Sequence, residues 1–165
     1  AYRDLDPDLL MEGHTLQKEE RVHFAMASNH ERGVIAEDQG EICGVSMWGP
    51  IGTPVSTSNL HLLFIHPDYQ RIGLGLRLLQ IHWERSLESW PKLKLFTLNC
   101  NRGSYWALSF YAKHGYLIYA PGDEDRVPGM REYRDSPPAP GRPIHPPYWA
   151  DHYLPANAVR RHLSK

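Results

Sequence analysis

The chain has 165 residues, 41% of them apolar and 22% charged, with a formal net charge of −1. That length suits one domain able to bury a core without metal or disulfide staples, and the near-neutral balance gives no electrostatic footprint for a nucleic-acid partner. No apolar run approaches the roughly 20 residues needed to cross a bilayer, and the start has neither the basic nor the apolar stretch of a secretion signal, so an intracellular protein without a membrane partner is expected. Cys43 and Cys100 form no C-x-x-C pair and predict two small buried thiols on strands. The ten histidines are scattered without H-x-x-x-H or H-E-x-x-H spacing, which predicts no metal site.

In chain order, residues 5–30 predict helix, with Leu9, Leu10, Leu16, Val22, Phe24 and Met26 as apolar points and Gly13 dividing it in two. Only four residues precede this region, so a first strand there is expected to be very short or cut away. Residues 33–37 and 41–48 read as strands joined through Asp38, Gln39 and Gly40, a polar, glycine-bearing turn suited to a hairpin. Residues 60–65 predict a buried strand ending at Pro67, which cannot donate to a ladder. From Leu76, apolar residues recur at Leu79, Trp83, Leu87 and Trp90, one helical face that Pro91 closes. Residues 94–99 predict a strand, and Ser104 is placed to cap a helix running to His114 with Gly115 as its stop.

Residues 116–120 and 128–133 then predict the last two strands, paired with each other. Seven of the fourteen prolines lie between Pro137 and Pro155, which argues against regular structure there. Ile144, Tyr148, Trp149 and Tyr153 are large apolar groups that disordered tails lack. The expected organisation is therefore a domain over residues 1–135 and a proline-rich extension, 136–165, that packs back on it and ends in a short helix near residues 156–163.

The most informative stretch is residues 65–79, where an apolar strand runs through a turn into a glycine-bearing helix start. Gly73 and Gly75 let the main chain turn tightly and approach a ligand. The unpaired amides and positive dipole end of the following helix attract a pyrophosphate, and Arg71 adds a charge at the rim. A phosphate loop of the G-x-x-x-x-G-K-[ST] type is ruled out, because neither lysine nor hydroxyl follows Gly75. A dinucleotide fingerprint needs a small residue where Leu78 stands.

What remains, Q-x-x-G-x-G from Gln70 to Gly75 preceded by Ile65, His66 and Pro67, resembles the coenzyme A signature of the GNAT superfamily of N-acetyltransferases. A second stretch, residues 104–116, is similar to the family pattern N-x-x-A-x-x-x-Y-x-x-x-G-F, with Ala107, Tyr111, Gly115 and Tyr116 in register. Ser104 stands where the family usually has asparagine. The resemblance spans residues 5–134 and implies an α/β architecture, the GNAT or acyl-CoA N-acyltransferase fold, with a mixed central sheet flanked by helices and acetyl-CoA as co-substrate.

Within the family, residues 59–75 look most like the arylalkylamine (serotonin) N-acetyltransferases, whose strand carries two histidines at alternate positions. His61 matches the nearer one, and Asn59 replaces the farther one. An alkylammonium must lose a proton before attacking a thioester, and a histidine, mostly neutral at pH 7, can accept it directly or through water. The resemblance thus implies His61 as base and Tyr111 as general acid to the leaving thiolate. Main-chain amides near Phe64 and Ile65 would meet the oxyanion, and pantetheine would pair along Leu63, Phe64 and Ile65. The pyrophosphate would fall to Arg71, Ile72, Gly73, Leu74, Gly75 and Leu76, with Ser104 touching the cofactor. His66 and His82 are expected as surface polar residues, Trp83 and Trp90 as packing, and Asp68 as a turn residue.

The acceptor is expected to be a small primary amine of arylalkylamine or polyamine type, attacking directly in a ternary complex in the cytoplasm. Acidic clusters at Glu37, Asp38 and Glu41 and at Asp123, Glu124 and Asp125 offer attraction for a cation, and Phe24, Trp48 and Tyr133 offer aromatic lining. Two alternatives stay open: a protein lysine or N-terminal acetyltransferase, and a non-catalytic acyl-CoA-binding protein.

Overall fold

Two runs of apolar residues, Val34 to Ala36 and Cys43 to Trp48, form the buried arms of a hairpin and anchor the first part of the architecture. The computed structural model describes residues 2–4, 32–136 and 149–164. The helices expected over 5–30, Phe24 among them, and most of the proline-rich stretch lie outside the described residues. The chain divides into two compact units: Ala1–Gly49 with His61–Glu84, and Pro50–Leu60 with Arg85–Lys165.

In the first unit, β1 (Tyr2–Asp4) pairs antiparallel with β2 (Arg32–Asp38), Tyr2 opposite Ala36 and Asp4 opposite Val34. The first strand is thus present, three residues long. Strand β2 turns into β3 (Glu41–Ile51) with Asp38 opposite Glu41. The two residues between, Gln39 and Gly40, have φ of 49° and 89°. Positive φ at both central positions is what a tight two-residue hairpin needs to match strand twist. Strand β4 (Thr57–Ile65) contributes residues 61–65 to this unit. It is followed by a 3₁₀ turn (Pro67–Tyr69) and helix α1 (Leu74–Ser89), whose Leu78, Leu79, Ile81, His82 and Trp83 are buried. The helix starts two residues before Leu76, because Gly75 is accommodated inside its first turn.

Gly44 explains how α1 comes so close to β3. A Cβ there would stand 2.9 Å from Leu78 Cδ1, 3.1 Å from Ile65 Cδ1 and 3.2 Å from the Phe64 carbonyl oxygen. A glycine inside a strand marks such a close approach.

In the second unit, residues 57–60 of β4 pair parallel with β5 (Leu95–Asn101), Thr57 opposite Leu95 and Leu60 opposite Leu98. Helix α2 (Tyr105–Lys113), β6 (Leu117–Ile118), α3 (Asp123–Arg126), α4 (Met130–Asp135), β7 (Trp149–Pro155) and α5 (Ala156–Leu163) follow. Strand β7 pairs antiparallel with β5 along its whole length and with β6 through Tyr153 and His152. The strand order of this unit is therefore β4-β5-β7-β6, and its pattern is mixed.

Residues 128–133 are accordingly not the last strand. Gly129, with φ of 89°, ends the extended path and caps α4, and a Cβ on it would meet Lys94 Cβ at 2.8 Å. The helix formers after it turn Met130 into the core, where Leu95, Met130 and Tyr153 pack together with Tyr119, Val127 and Tyr133 around them. The strand place belongs to β7, whose Ala150, His152, Tyr153 and Leu154 are all buried. Consecutive buried residues suit a strand covered on both faces, and its one proline stands at the strand's last position. The expected terminal helix is α5, fastened by Arg160, which donates to the carbonyls of Leu93 at 3.1 Å and Pro91 at 2.7 Å.

Candidate active site

The end of β4 presents an open edge of the first unit. His61 and Leu62 are exposed, Phe64 is 48% exposed, and Leu63 and Ile65 are half-buried. The pairing given for β4 with β5 ends at Leu60, and residues 61–65 run on beyond it. The turn that follows is built by its own side chains. His66 Nδ1 accepts from the Asp68 amide at 3.4 Å, Gln70 Nε2 donates to the Ile65 carbonyl at 3.3 Å, and the Tyr69 hydroxyl donates to Asp38 at 3.2 Å. Gln70 is therefore the clasp of the turn, and Asp68 is the turn residue expected.

Arg71 has φ of 64°, a left-handed conformation that costs a non-glycine residue about 1–2 kcal/mol. Gly73 has φ of 89°, and a Cβ built on it would meet nothing within 4 Å. The first intrahelical bond runs from the Arg77 amide to the Gly73 carbonyl at 3.0 Å. The amides of Leu74, Gly75 and Leu76 thus precede any acceptor inside the helix. A left-handed turn, open space before Gly73 and three free-running amides at a helix start form a cradle for an anion. Ile72, at 70% exposed, stands at its rim.

The second unit carries Ser104 and Tyr111. Ser104 sits at the N-cap of α2 but its side chain makes no capping bond, contrary to expectation. Asn101 takes over the local order, accepting from the Gly103 amide at 2.8 Å through its side chain and from the Ser104 amide at 3.0 Å through its carbonyl. Gly115, with φ of 87°, ends the helix as expected, and the Tyr116 amide returns to the Tyr111 carbonyl at 3.0 Å. Tyr111 itself is half-buried among Phe110, Tyr116 and His152, whose ring centroids lie 5.3, 5.7 and 6.3 Å away. Burial, with a smaller contribution from Cys100, pushes its phenol well above the usual tyrosine range. It holds its proton at neutral pH.

Several side chains fall elsewhere than the sequence suggests. His82 is not at the surface: it is fully buried, its ring 5.2 Å from that of Trp48. Burial foremost, then His61, lowers its pKa to about 3, so the ring is neutral. Trp48 is likewise fully buried, and Tyr133 packs on the Leu95 cluster. The acidic run at 123–125 is committed to local structure. Asp123 is buried and accepts from the Ala120 amide at 2.9 Å and Arg126 at 2.8 Å, Glu124 takes Tyr119 and the Gly122 amide, and Asp125 takes Arg131. His66 is exposed, Trp83 is core, and Cys43 and Cys100 are buried strand thiols, all as expected.

Among the described residues no helix is long and apolar enough to cross a membrane. No curated protein matches the sequence. An acetyltransferase from Streptococcus agalactiae aligns with a TM-score of 0.65 at 14% identity, over 94% of this chain and 97% of that one. A chimera of the Vibrio cholerae spermidine N-acetyltransferase SpeG and hSSAT aligns with a TM-score of 0.64 at 16% identity, over 97% of each chain. A GNAT family acetyltransferase from Elizabethkingia anophelis, solved with acetyl-CoA bound, gives 0.60 at 14% identity, over 94% and 97%. These likenesses fix the fold, a mixed sheet flanked by helices. The model of the Acetyltransferase (GNAT) domain matches residues 29–117, more than half of the chain, and that span holds both the glycine turn and the helix bearing Tyr111. With motif, fold and domain model in agreement, the chain belongs to the GNAT family of acetyltransferases.

Proposed function

We propose that this protein is a cytoplasmic, acetyl-CoA-dependent N-acetyltransferase that acetylates a primary amine of arylalkylamine or polyamine type by direct attack in a ternary complex. The observation that carries the reading is the cradle at Gly73, whose open approach and the amides of Leu74, Gly75 and Leu76 fit a diphosphate. The polyamine side of the reading draws on the spermidine enzyme among the structural likenesses. The compartment draws on two unpaired thiols, which suit a reducing environment.

In this scheme Arg71, Ile72, Gly73, Leu74, Gly75 and Leu76 hold the pyrophosphate, and main-chain groups of Leu63, Phe64 and Ile65 pair with the pantetheine. The Ser104 hydroxyl, not engaged in capping, contacts the co-substrate. His61, exposed at the end of β4, takes the ammonium proton so that the amine nitrogen attacks the acetyl carbonyl carbon. The C–S bond breaks, and Tyr111 gives its phenolic proton to the departing sulfur. Residues 149–164 of the proline-rich extension, as β7 and α5, pack on the domain, β7 lying between β5 and β6.

The test is a panel of spermidine, spermine, phenethylamine, serotonin and lysine-bearing peptides with acetyl-CoA, read by release of free thiol. Turnover of small amines is expected. Turnover of peptides alone defeats the amine reading in favour of a protein acetyltransferase. Thermal stabilisation by coenzyme A without thiol release for any acceptor leaves a binding protein.

A further inference from the structure

The geometry points to His152 as the residue that positions the Tyr111 phenol for proton delivery, through the one ring nitrogen it leaves uncommitted. This rests on the acid role proposed for Tyr111. His152 lies on β7, opposite Leu98 of β5 on one side and Ile118 of β6 on the other, and is 2% exposed. Its Nδ1 is 3.0 Å from the Ala150 carbonyl oxygen. A carbonyl only accepts, so Nδ1 carries the hydrogen and Nε2 carries the lone pair. The tautomer is therefore set by the strand, and the acceptor face of the ring is defined.

The tyrosine ring stands beside that imidazole, centroid to centroid 6.3 Å, tilted by 48°. A phenol oxygen and an imidazole nitrogen each stand off their ring centres, so one bridging water spans such a gap, donating one hydrogen to Nε2 and the other to the phenol oxygen. Of the other rings around Tyr111, Phe110 has no polar edge at all. Burial acts on both partners in the sense the pairing needs: it raises the tyrosine and lowers the histidine, leaving a phenol that keeps its own hydrogen and a neutral imidazole that accepts. The charged and titratable groups acting on the pair are Cys100 on the tyrosine, and Asp151 and Arg102 on the histidine with opposite signs. Asp151 is in turn held by Arg134 at 2.7 Å and by Asn99. A buried aliphatic residue would fill this strand position without any of these features.

Water held in this way donates to the phenol oxygen, so the phenol's own hydrogen is left for the departing sulfur and the phenolate that remains is stabilised. His152 takes part by orientation alone; the proton that reaches the sulfur is the tyrosine's, and water restores it from solvent. His152→Asn retains a donor toward Ala150 and removes Nε2, whereas His152→Gln sets an amide nearer the place of Nε2. With spermidine, or the panel amine turned over fastest, each is compared in the parental and Tyr111→Phe backgrounds.

The expected result is a loss of about tenfold in kcat for His152→Asn, a modest share of a general acid's usual effect. KM for acetyl-CoA stays unchanged, His152→Gln recovers most of the rate, and neither variant has an effect once Tyr111 is Phe. Equal losses in both backgrounds mean that the histidine only supports the fold, and no loss in the parental background means that the phenol needs no partner; either overturns the inference. A parental rate for Tyr111→Phe itself removes the acid role and the inference with it. Carbon-13 labelling of tyrosine in the complex with coenzyme A reads the same contact without turnover: the Tyr111 signal shifts in His152→Asn, and an unshifted signal counts against the pairing.

Discussion

At the glycine turn, the groups proposed to meet the co-substrate are main-chain amides set by backbone angles, with Gln70 and Tyr69 clasping the loop from its flanks. Around Tyr111 the proposed chemistry rests on side chains, with burial deciding which of them hold protons. The first region is a matter of backbone conformation and of the space left open before it; the second is a matter of the environment of its side chains. The two regions should fail differently, one by geometry and the other by pH and polarity.

The largest effect expected from burial concerns His82, which sits beneath the first region but belongs to the second kind. Its folded pKa of about 3 lies below the unfolded value of about 6.5. Unfolded chains bind the proton first as pH falls, so the stability contributed by the neutral ring is complete above pH 6.5. It is lost from there down toward pH 3, at about 1.4 kcal/mol per unit. Urea melts at pH 7 and pH 4.5 should show that slope in the parent and a flatter one in His82→Leu; parallel slopes would mean that the imidazole is solvated when protonated.

Next in size come the two proton-transfer groups. Tyr111→Phe should lower kcat about a hundredfold and spare coenzyme A binding. His61→Ala should do the same at neutral pH and remove the acidic limb of the pH–rate profile, because a protonated base cannot accept. A retained acidic limb in His61→Ala would assign that limb to another group. Gly44→Val is smaller: its methyls meet Leu78, Ile65 and the Phe64 carbonyl, and overpacking of this sort costs about 1–3 kcal/mol. Chemical denaturation measures it, and a loss below about 0.5 kcal/mol would show that the helix shifts freely.

How far each region was legible in the sequence follows from the same division. The turn announces itself, because Gly73, Pro67 and Gln70 act over a few residues and their conformational preferences are local. The hairpin at Gln39 and Gly40 and the stop at Gly115 are legible for that reason. Gly44 is a residue the sequence reading passed over: a lone glycine in a strand pattern signals a close approach, although only packing tells what approaches it. Nothing local distinguishes His82 or His152 from a surface histidine, since burial is decided by elements distant in sequence. The same holds for β7: its apolar residues stood out, but proline density nearby masked a strand that pairs with β5 and β6. The pairing of 116–120 with 128–133 failed because adjacency in sequence was taken for adjacency in the sheet, where Gly129 turns the chain into a helix instead.

The smallest effect is the most discriminating for the proposed function. Gly73→Ala places a methyl where the backbone has φ of 89° and where nothing lies within 4 Å, so its cost to folding is backbone strain of about 1–2 kcal/mol without a clash. If a diphosphate occupies that space, the methyl also meets it, and affinity for coenzyme A should fall about tenfold, or about 1.4 kcal/mol. Arg71→Gly is the counterpart. It relieves a left-handed side-chain residue, φ 64°, while removing the charge at the rim, so affinity should fall with stability held within about 1 kcal/mol. Calorimetry with coenzyme A beside thermal melts separates strain from contact. Should Gly73→Ala bind as tightly as the parent while melting earlier, the glycine serves only the turn, and the amides of Leu74, Gly75 and Leu76 lose their assignment as the diphosphate cradle.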